Sequence, residues 1–276
     1  MARNRVRVRF PSLAAPLLAL TAALALTAGC GSSDASDSSS GDGGHPYDGA
    51  PVVVATTTWE GAFAKAAGAK DVKVIVPQSV QHAPDYDPKP SDLAAVADAD
   101  FVLYAPFEPY AEKIKEAAGS DAELVEVNLD NDADKATAEV ARLGKLFGTQ
   151  DAAATWQKTF KTQYADLQRE LKAAWPGGKA PAVVTQVFTA WSAKLAGAEV
   201  VGTYGPEAVT AKQLSDLSAK KPALVLDNAH MSTGTVLPDA GAKQVKIVNF
   251  PGKDLDLLPV YRDAASALKS AMAGAA

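Results

Sequence analysis

Cysteine and histidine are the scarce residues of this chain, one Cys and three His in 276 residues. A single thiol excludes a disulfide framework and any zinc site built on several thiolates. Three imidazoles, with no Gly-rich phosphate loop, no Gly-x-Ser-x-Gly elbow and no Ser/His/Asp grouping, leave little machinery for acid–base or nucleophilic catalysis, so no enzyme is expected. Basic residues are outnumbered too, 27 against 32 acidic ones, for a formal charge of −5. An acidic balance of that kind argues against nucleic acid or an anionic lipid surface as partner.

Four of the 27 basic residues sit at the very start. Arg3, Arg5, Arg7 and Arg9 precede an apolar stretch from Leu13 to Ala28, followed by Gly29 and Cys30. This order reads as a bacterial export signal over residues 1–29, the apolar stretch being shorter than the roughly 20 residues a membrane span needs. Cys30, directly after Ala-Gly, resembles a lipobox cysteine, although Thr27 stands where Leu is usual. That resemblance implies a lipid anchor at Cys30 and an extracytoplasmic protein held at the cell membrane. Removing the leader removes four Arg and no acid, leaving 23 basic against 32 acidic residues, net −9. Residues 30–50, rich in Ser, Gly and Asp, have almost nothing to bury and are expected to form a flexible acidic tether. His45 lies within it and is read as solvated.

From Pro51 onward the apolar pattern alternates between short β-branched runs and helical periods. Strands are expected at 52–56, 72–76, 100–104 and 123–127, with helices at 58–68, 91–98 and 109–118 between them, Ser91-Asp92 serving as the second helix's cap. Two helices follow at 132–147 and 151–175, the second ending at Pro176-Gly177-Gly178. The alternation then restarts, with strands at 182–187, 199–203, 223–226 and 245–249, helices at 190–196, 210–219 and 260–273, and a weak helix at 234–241. Alternation of this kind gives an α/β fold of two mostly parallel four-stranded lobes, 51–131 and 178–276, with a helical segment 132–177 between them. Thr56, Thr57 and Thr58 close the first strand, where they either bond a ligand or cap the next helix.

The run Pro84-Asp85-Tyr86-Asp87-Pro88-Lys89-Pro90-Ser91-Asp92-Leu93, followed by Ala97-Asp98-Ala99-Asp100-Phe101-Val102-Leu103-Tyr104, resembles the signature segment of the zinc- and manganese-binding (cluster A-I) solute-binding proteins of ABC importers. The resemblance implies the class III periplasmic-binding-protein plan, two (β/α)4-like lobes joined by one long rigid helix, here 151–175. It also implies a monomer that delivers zinc or manganese to an ABC permease. The stretch 140–155, with Leu143-Gly144-Lys145-Leu146-Phe147-Gly148, is similar as well to binding proteins for iron chelates and corrinoids.

The family's ligands do not carry over one by one. Its His-x-Tyr-Glu-Pro-x-Pro-Ser-Asp loop places Pro84 at the first ligating His, with His82 two residues earlier. Gln186 stands where a second-lobe His is expected and Asn249 where a late Asp is expected, while Asn128 to Asp132 contain no His at all. A relocated set is available in His82 and Asp85 from one lobe and Asp227 and His230 from the other, with Gln186 beside them. Two imidazoles and two carboxylates suit zinc or manganese. In the competing reading Asp227 is a helix cap and His230 a surface histidine. Trp59, Phe107, Phe188 and Trp191 are candidates for an aromatic pocket suited to a metal chelate or small organic solute. An adhesin-like lipoprotein that lost its ligand is a further alternative.

Overall fold

The computed structural model describes residues 51–77, 80, 86–119 and 122–273. The first lobe contains β1 (Val52–Ala55), α1 (Thr58–Ala66), β2 (Asp71–Val74), α2 (Pro90–Ala97), β3 (Phe101–Tyr104), α3 (Ala111–Ala118) and β4 (Glu123–Glu126). Helices α4 (Ala133–Leu146) and α5 (Gln150–Ala173) follow. The second lobe holds β5 (Ala182–Gln186), α6 (Ala190–Ala196), β6 (Glu199–Tyr204), α7 (Ala211–Ser218), β7 (Leu224–Asn228), β8 (Lys243–Ile247) and α8 (Leu258–Ala273).

Both sheets are wholly parallel, in the orders β2-β1-β3-β4 and β6-β5-β7-β8. The chain therefore leaves β1 in one direction and returns on its other side at β3, and repeats the manoeuvre at β5 and β7. Such a reversal opens a crevice at the carboxyl ends of the two central strands, where α/β proteins hold ligands. Strand periodicity divides the cores accordingly. Val53, Ala55, Phe101 and Leu103 pack on one face of the first sheet, and Val54 and Val102 on the other. Val183, Leu224 and Leu226 oppose Val184 and Val225 in the same way in the second sheet.

Two devices tie the lobes together. Helix α5 runs 24 residues, about 36 Å at 1.5 Å per residue. Its Ala153 enters the first lobe's core, Phe160 and Leu171 enter the second's, and Trp156 touches both. The other device was not anticipated. After β8 the chain crosses back to the first lobe as a strap over α1: Thr58 Oγ1 donates to the Pro251 carbonyl at 2.9 Å and Lys65 Nζ to the Asp254 carbonyl at 2.6 Å. Leu257 is buried in the first lobe's core before α8 returns to the second.

Two expectations need correction. Residues 234–241 form turns rather than a helix, because Gly234 and Gly241 sit at φ +104° and +68° and Pro238 interrupts the run. The Val236 amide accordingly bonds the Gln244 side chain at 2.9 Å instead of a helical carbonyl. Helix α2 begins at Pro90, which suits a first helical position because it has no N–H to satisfy. Asp92 thus lies inside the first turn rather than before it, and still accepts from the Lys89 amide at 2.9 Å and the Tyr86 hydroxyl at 2.7 Å.

Candidate functional site

The cleft between the lobes has a volume of about 400 Å³ and is lined by Trp59, Asn131, Asp132, Phe188, Trp191 and Lys194 among others. Every one of these residues lies beyond a strand's carboxyl end, as the sheet topology requires. In the first lobe the capping alternative for the threonines holds at one position: Thr57 caps α1, accepting from the Trp59 amide at 3.2 Å, with Glu60 closing a capping box. Thr58 reaches the strap instead, and Thr56 Oγ1 is buried without a hydrogen bond. Capping by Thr57 fixes the first turn of α1, which sets Trp59 on the cleft wall. The Trp59 ring meets Phe250 edge-on at 5.0 Å between centroids, and Phe250 in turn meets His230 at 4.8 Å.

Of the four aromatic candidates, three face the cleft and Phe107 is not among its lining. Phe188 is 53% exposed, Trp59 half-buried and Trp191 buried. Trp191 is held by its indole N–H, which donates to Asn249 Oδ1 at 2.9 Å. Asn249 also donates through Nδ2 to the Phe188 carbonyl at 3.2 Å, while its own carbonyl accepts from Asn131 Nδ2 at 2.9 Å. Asn249 is therefore a pin of the seam, bonded through its backbone carbonyl and both ends of its side-chain amide.

His82 and Asp85 lie outside the described residues, as do Cys30 and His45. The other three ligand candidates are placed as follows. Gln186 ends β5, and its Oε1 accepts the Phe188 amide at 2.7 Å while its buried Nε2 makes no hydrogen bond. Asp227, 1% exposed, accepts from Tyr204 Oη at 2.7 Å, Ser232 Oγ at 2.6 Å and Gln244 Nε2 at 2.8 Å. It lies within β7 rather than at a helix start, so the cap reading does not apply. His230 follows β7, its amide bonded to Asn228 Oδ1 at 3.0 Å, and partial burial lowers the affinity of its ring for a proton. Among the described residues no group of three or more His, Cys, Asp or Glu is arranged to hold a metal ion.

The charged rim is internally paired, two lysines against three aspartates, with one negative charge in excess. Lys194 of α6 pairs with Asp132 at 2.7 Å and Asp134 at 2.8 Å, and Lys135 pairs with Asp130 at 2.7 Å. What the cleft leaves unmatched is polar and uncharged: the Trp59 indole N–H and the Asn131 side-chain oxygen are both buried without a partner. Buried polar groups are nearly always bonded, so these two have capacity for a ligand.

Residues 53–153 match the family model described as zinc-uptake complex component A, periplasmic. A comparison with curated protein sequences finds no match. Solved structures share the fold over most of the chain. One is the laminin-binding protein Lmb of Streptococcus agalactiae, described as having adhesin and metal transporting activity (18% identity, 80% of this chain and 99% of that one, TM-score 0.59). Another is the Pseudomonas aeruginosa solute-binding protein FpvC in complex with Mn2+ (15% identity, 82% and 100% coverage, TM-score 0.61). A third is the metal-dependent lipoprotein YcdH of Bacillus subtilis (20% identity, 79% and 97% coverage, TM-score 0.53). The resemblance to the zinc- and manganese-type solute-binding proteins of ABC importers is thus borne out by sequence over residues 53–153, and the solved structures share the two-lobe fold over about 80% of the chain.

Proposed function

We propose that this chain is the extracytoplasmic solute-binding component of an ABC importer, with a divalent metal ion, zinc or manganese, as its cargo. The observation that carries the reading is the family match over the first lobe joined to a two-lobe fold shared with proteins solved with such ions bound. Delivery to a permease is the role, and no reaction is assigned. The chain acts as a monomer, lipid-anchored at Cys30 with residues 31–50 as the tether.

We assign metal contact to His82 and Asp85 from the first lobe and His230 from the second. Gln186 and Asp227 are secondary candidates: each already serves a local hydrogen bond, and Asp227 would have to release three donors to bind a cation. A two-imidazole, one-carboxylate set with an open position suits a transported ion, which has to be released again. The test is the thermal midpoint of chelator-treated protein with zinc, manganese or neither. Cargo held only by the native state stabilises it by about 2.7 kcal/mol at 100-fold excess over Kd. The rise is expected to vanish in His82→Ala and His230→Ala, and no rise with either ion would end the metal reading.

One observation favours a second reading, in which the ion arrives in an organic chelate. A cleft of about 400 Å³, with exposed Phe188 and the unpaired Trp59 and Asn131 groups, has the size and lining of a small-molecule site. Stabilisation by a metal chelate but not by the free ion would select it.

A further inference from the structure

The least expected feature of the first lobe is a pair of buried carboxyl groups. Glu60, in the first turn of α1, is 0% exposed, and Glu108, in the β3–α3 connection, is 5% exposed. Because β1 and β3 are neighbours, the segments that follow them meet at the sheet's carboxyl edge, and each carboxyl lies within the field of the other.

Their hydrogen bonds are unequal. Glu108 has a donor on each oxygen, the Ala105 amide on Oε2 at 3.0 Å and Tyr110 Oη on Oε1 at 2.9 Å. Glu60 receives both of its donors, the Thr57 amide at 3.1 Å and the Thr57 hydroxyl, on Oε2. Its Oε1 is buried with no partner, whereas the Thr56 hydroxyl favours the charge of Glu108. An ionised carboxylate with one bare, enclosed oxygen is costly, whereas a proton there turns the same oxygen into a donor. Two buried carboxylates that feel each other's charge disfavour ionising together.

We propose that Glu60 and Glu108 share a single proton, carried on Glu60 Oε1 while Glu108 stays ionised, and that this proton holds the first turn of α1 in place against the interlobe seam. Burial first, then the Glu108 charge, raise the Glu60 pKa from 4.5 to about 8. Burial also raises Glu108, opposed first by the Ala105 N–H. The other titratable group facing the pair is Tyr110, itself pushed upward. No cation offsets the two acids among the described residues. Lys65 of α1 bonds the Asp254 carbonyl, Arg142 of α4 is taken by Glu139, and Lys115 of α3 bonds Glu112. In the strap, Lys253 and Asp254 are exposed and Asp256 accepts from the Leu258 amide.

The pair matters because of what shares its turn. Thr58 bonds the strap and Trp59 walls the cleft, so a second negative charge beneath them loosens a contact between the lobes. The device is independent of the cargo. A carboxyl whose folded pKa is raised binds its proton more tightly folded than unfolded, so its contribution is complete below 4.5 and is lost as pH rises to about 8.

The test is infrared difference spectroscopy of the purified protein between pH 5 and 9, with urea unfolding of wild type, Glu60→Gln and Glu108→Gln over the same range. At pH 7 the carbonyl stretch of a protonated carboxyl is expected in wild type and Glu108→Gln and is expected to be missing in Glu60→Gln. The wild-type folding constant is expected to fall relative to that of Glu60→Gln by up to about tenfold per pH unit between 4.5 and 8. If Glu60→Gln does not fold, the wild-type band alone decides, since it has to disappear as pH passes about 8. Absence of the band at pH 7, its survival in Glu60→Gln, or parallel pH profiles in the two proteins would overturn the proposal.

Discussion

The side-chain amide of Asn131 donates to the backbone carbonyl of Asn249 at 2.9 Å, joining the end of the first lobe to the segment that follows the last strand of the second. Asn249 then uses both halves of its own amide, accepting from Trp191 and donating to the Phe188 carbonyl. Only a group that is donor and acceptor at once does this. A carboxylate, which the family resemblance places here, supplies no donor.

Asn249→Asp is therefore expected to destabilise the protein by about 1–3 kcal/mol, the usual cost of stranding a buried polar partner. A lower urea midpoint at unchanged slope would register it. An unchanged midpoint would mean that the amide is not the pin.

Asp227 separates a structural role from a ligand role. Its two oxygens receive Tyr204, Ser232 and Gln244, and Asn would offer one acceptor and an unwelcome donor to the same three groups. Asp227→Asn is expected to cost about 2–3 kcal/mol, as hydrogen bonds to a charged group do, while leaving any metal-induced rise in thermal midpoint intact. The reverse pattern, full stability with the metal response lost, would make Asp227 a ligand.

Both sheets were legible in the sequence because their central strands are buried on two faces and read as unbroken apolar runs, Val52 to Ala55 and Leu224 to Leu226 among them. Strand order was not, since periodicity reports which residues face a core but not which strands pair. Thr57-x-x-Glu60 has the spacing of a capping box, yet that Glu60 is fully buried and feels the charge of Glu108, which belongs to another connection, is something no local pattern reveals. Strand β8 ends at Ile247 rather than residue 249, so Asn249 falls in the connection and turns to the seam. At Asn249 and Gln186 alignment to a family marks a missing ligand, whereas the amides answer the Phe188 backbone and, at Asn249, the Trp191 indole.

Asp132 links helix formation to lobe attachment. It caps α4, accepting from the Asp134 amide at 3.0 Å and the Lys135 amide at 3.3 Å, and it pairs with Lys194 of α6. Burial would raise its pKa, but the Lys194 hydrogen bond and the two capping amides outweigh burial and the net direction is down from 3.8. A lowered folded pKa gives stability that is present above 3.8 and is lost as pH falls below it. Asp132→Ala is expected to cost about 1–2 kcal/mol at neutral pH, as a lost cap does. The difference from wild type is expected to shrink in urea titrations carried below pH 3.8, and an equal difference at both pH values would leave the charge without a role.

Gly144 sets the approach of α4 to α5 and thereby the attachment of the bridge to the first lobe. A Cβ added there would lie 2.5 Å from the Cβ of Ala153 and 3.5 Å from the carbonyl of Ala67. Two opposing effects meet at this position. Helix propensity favours Ala over Gly by about 1 kcal/mol inside α4, whereas overpacking a close contact costs about 1–3 kcal/mol. The contact is between two Cβ atoms on helix backbones, with no flexible side chain to give way, so the clash is expected to win and Gly144→Ala to lower the urea midpoint. Adding Ala153→Gly removes the opposing atom and should recover part of that loss despite placing a glycine in α5. A double-mutant cycle then gives a favourable coupling between the two substitutions. Strict additivity would show that helix propensity alone governs both sites and that the helices already have room to separate.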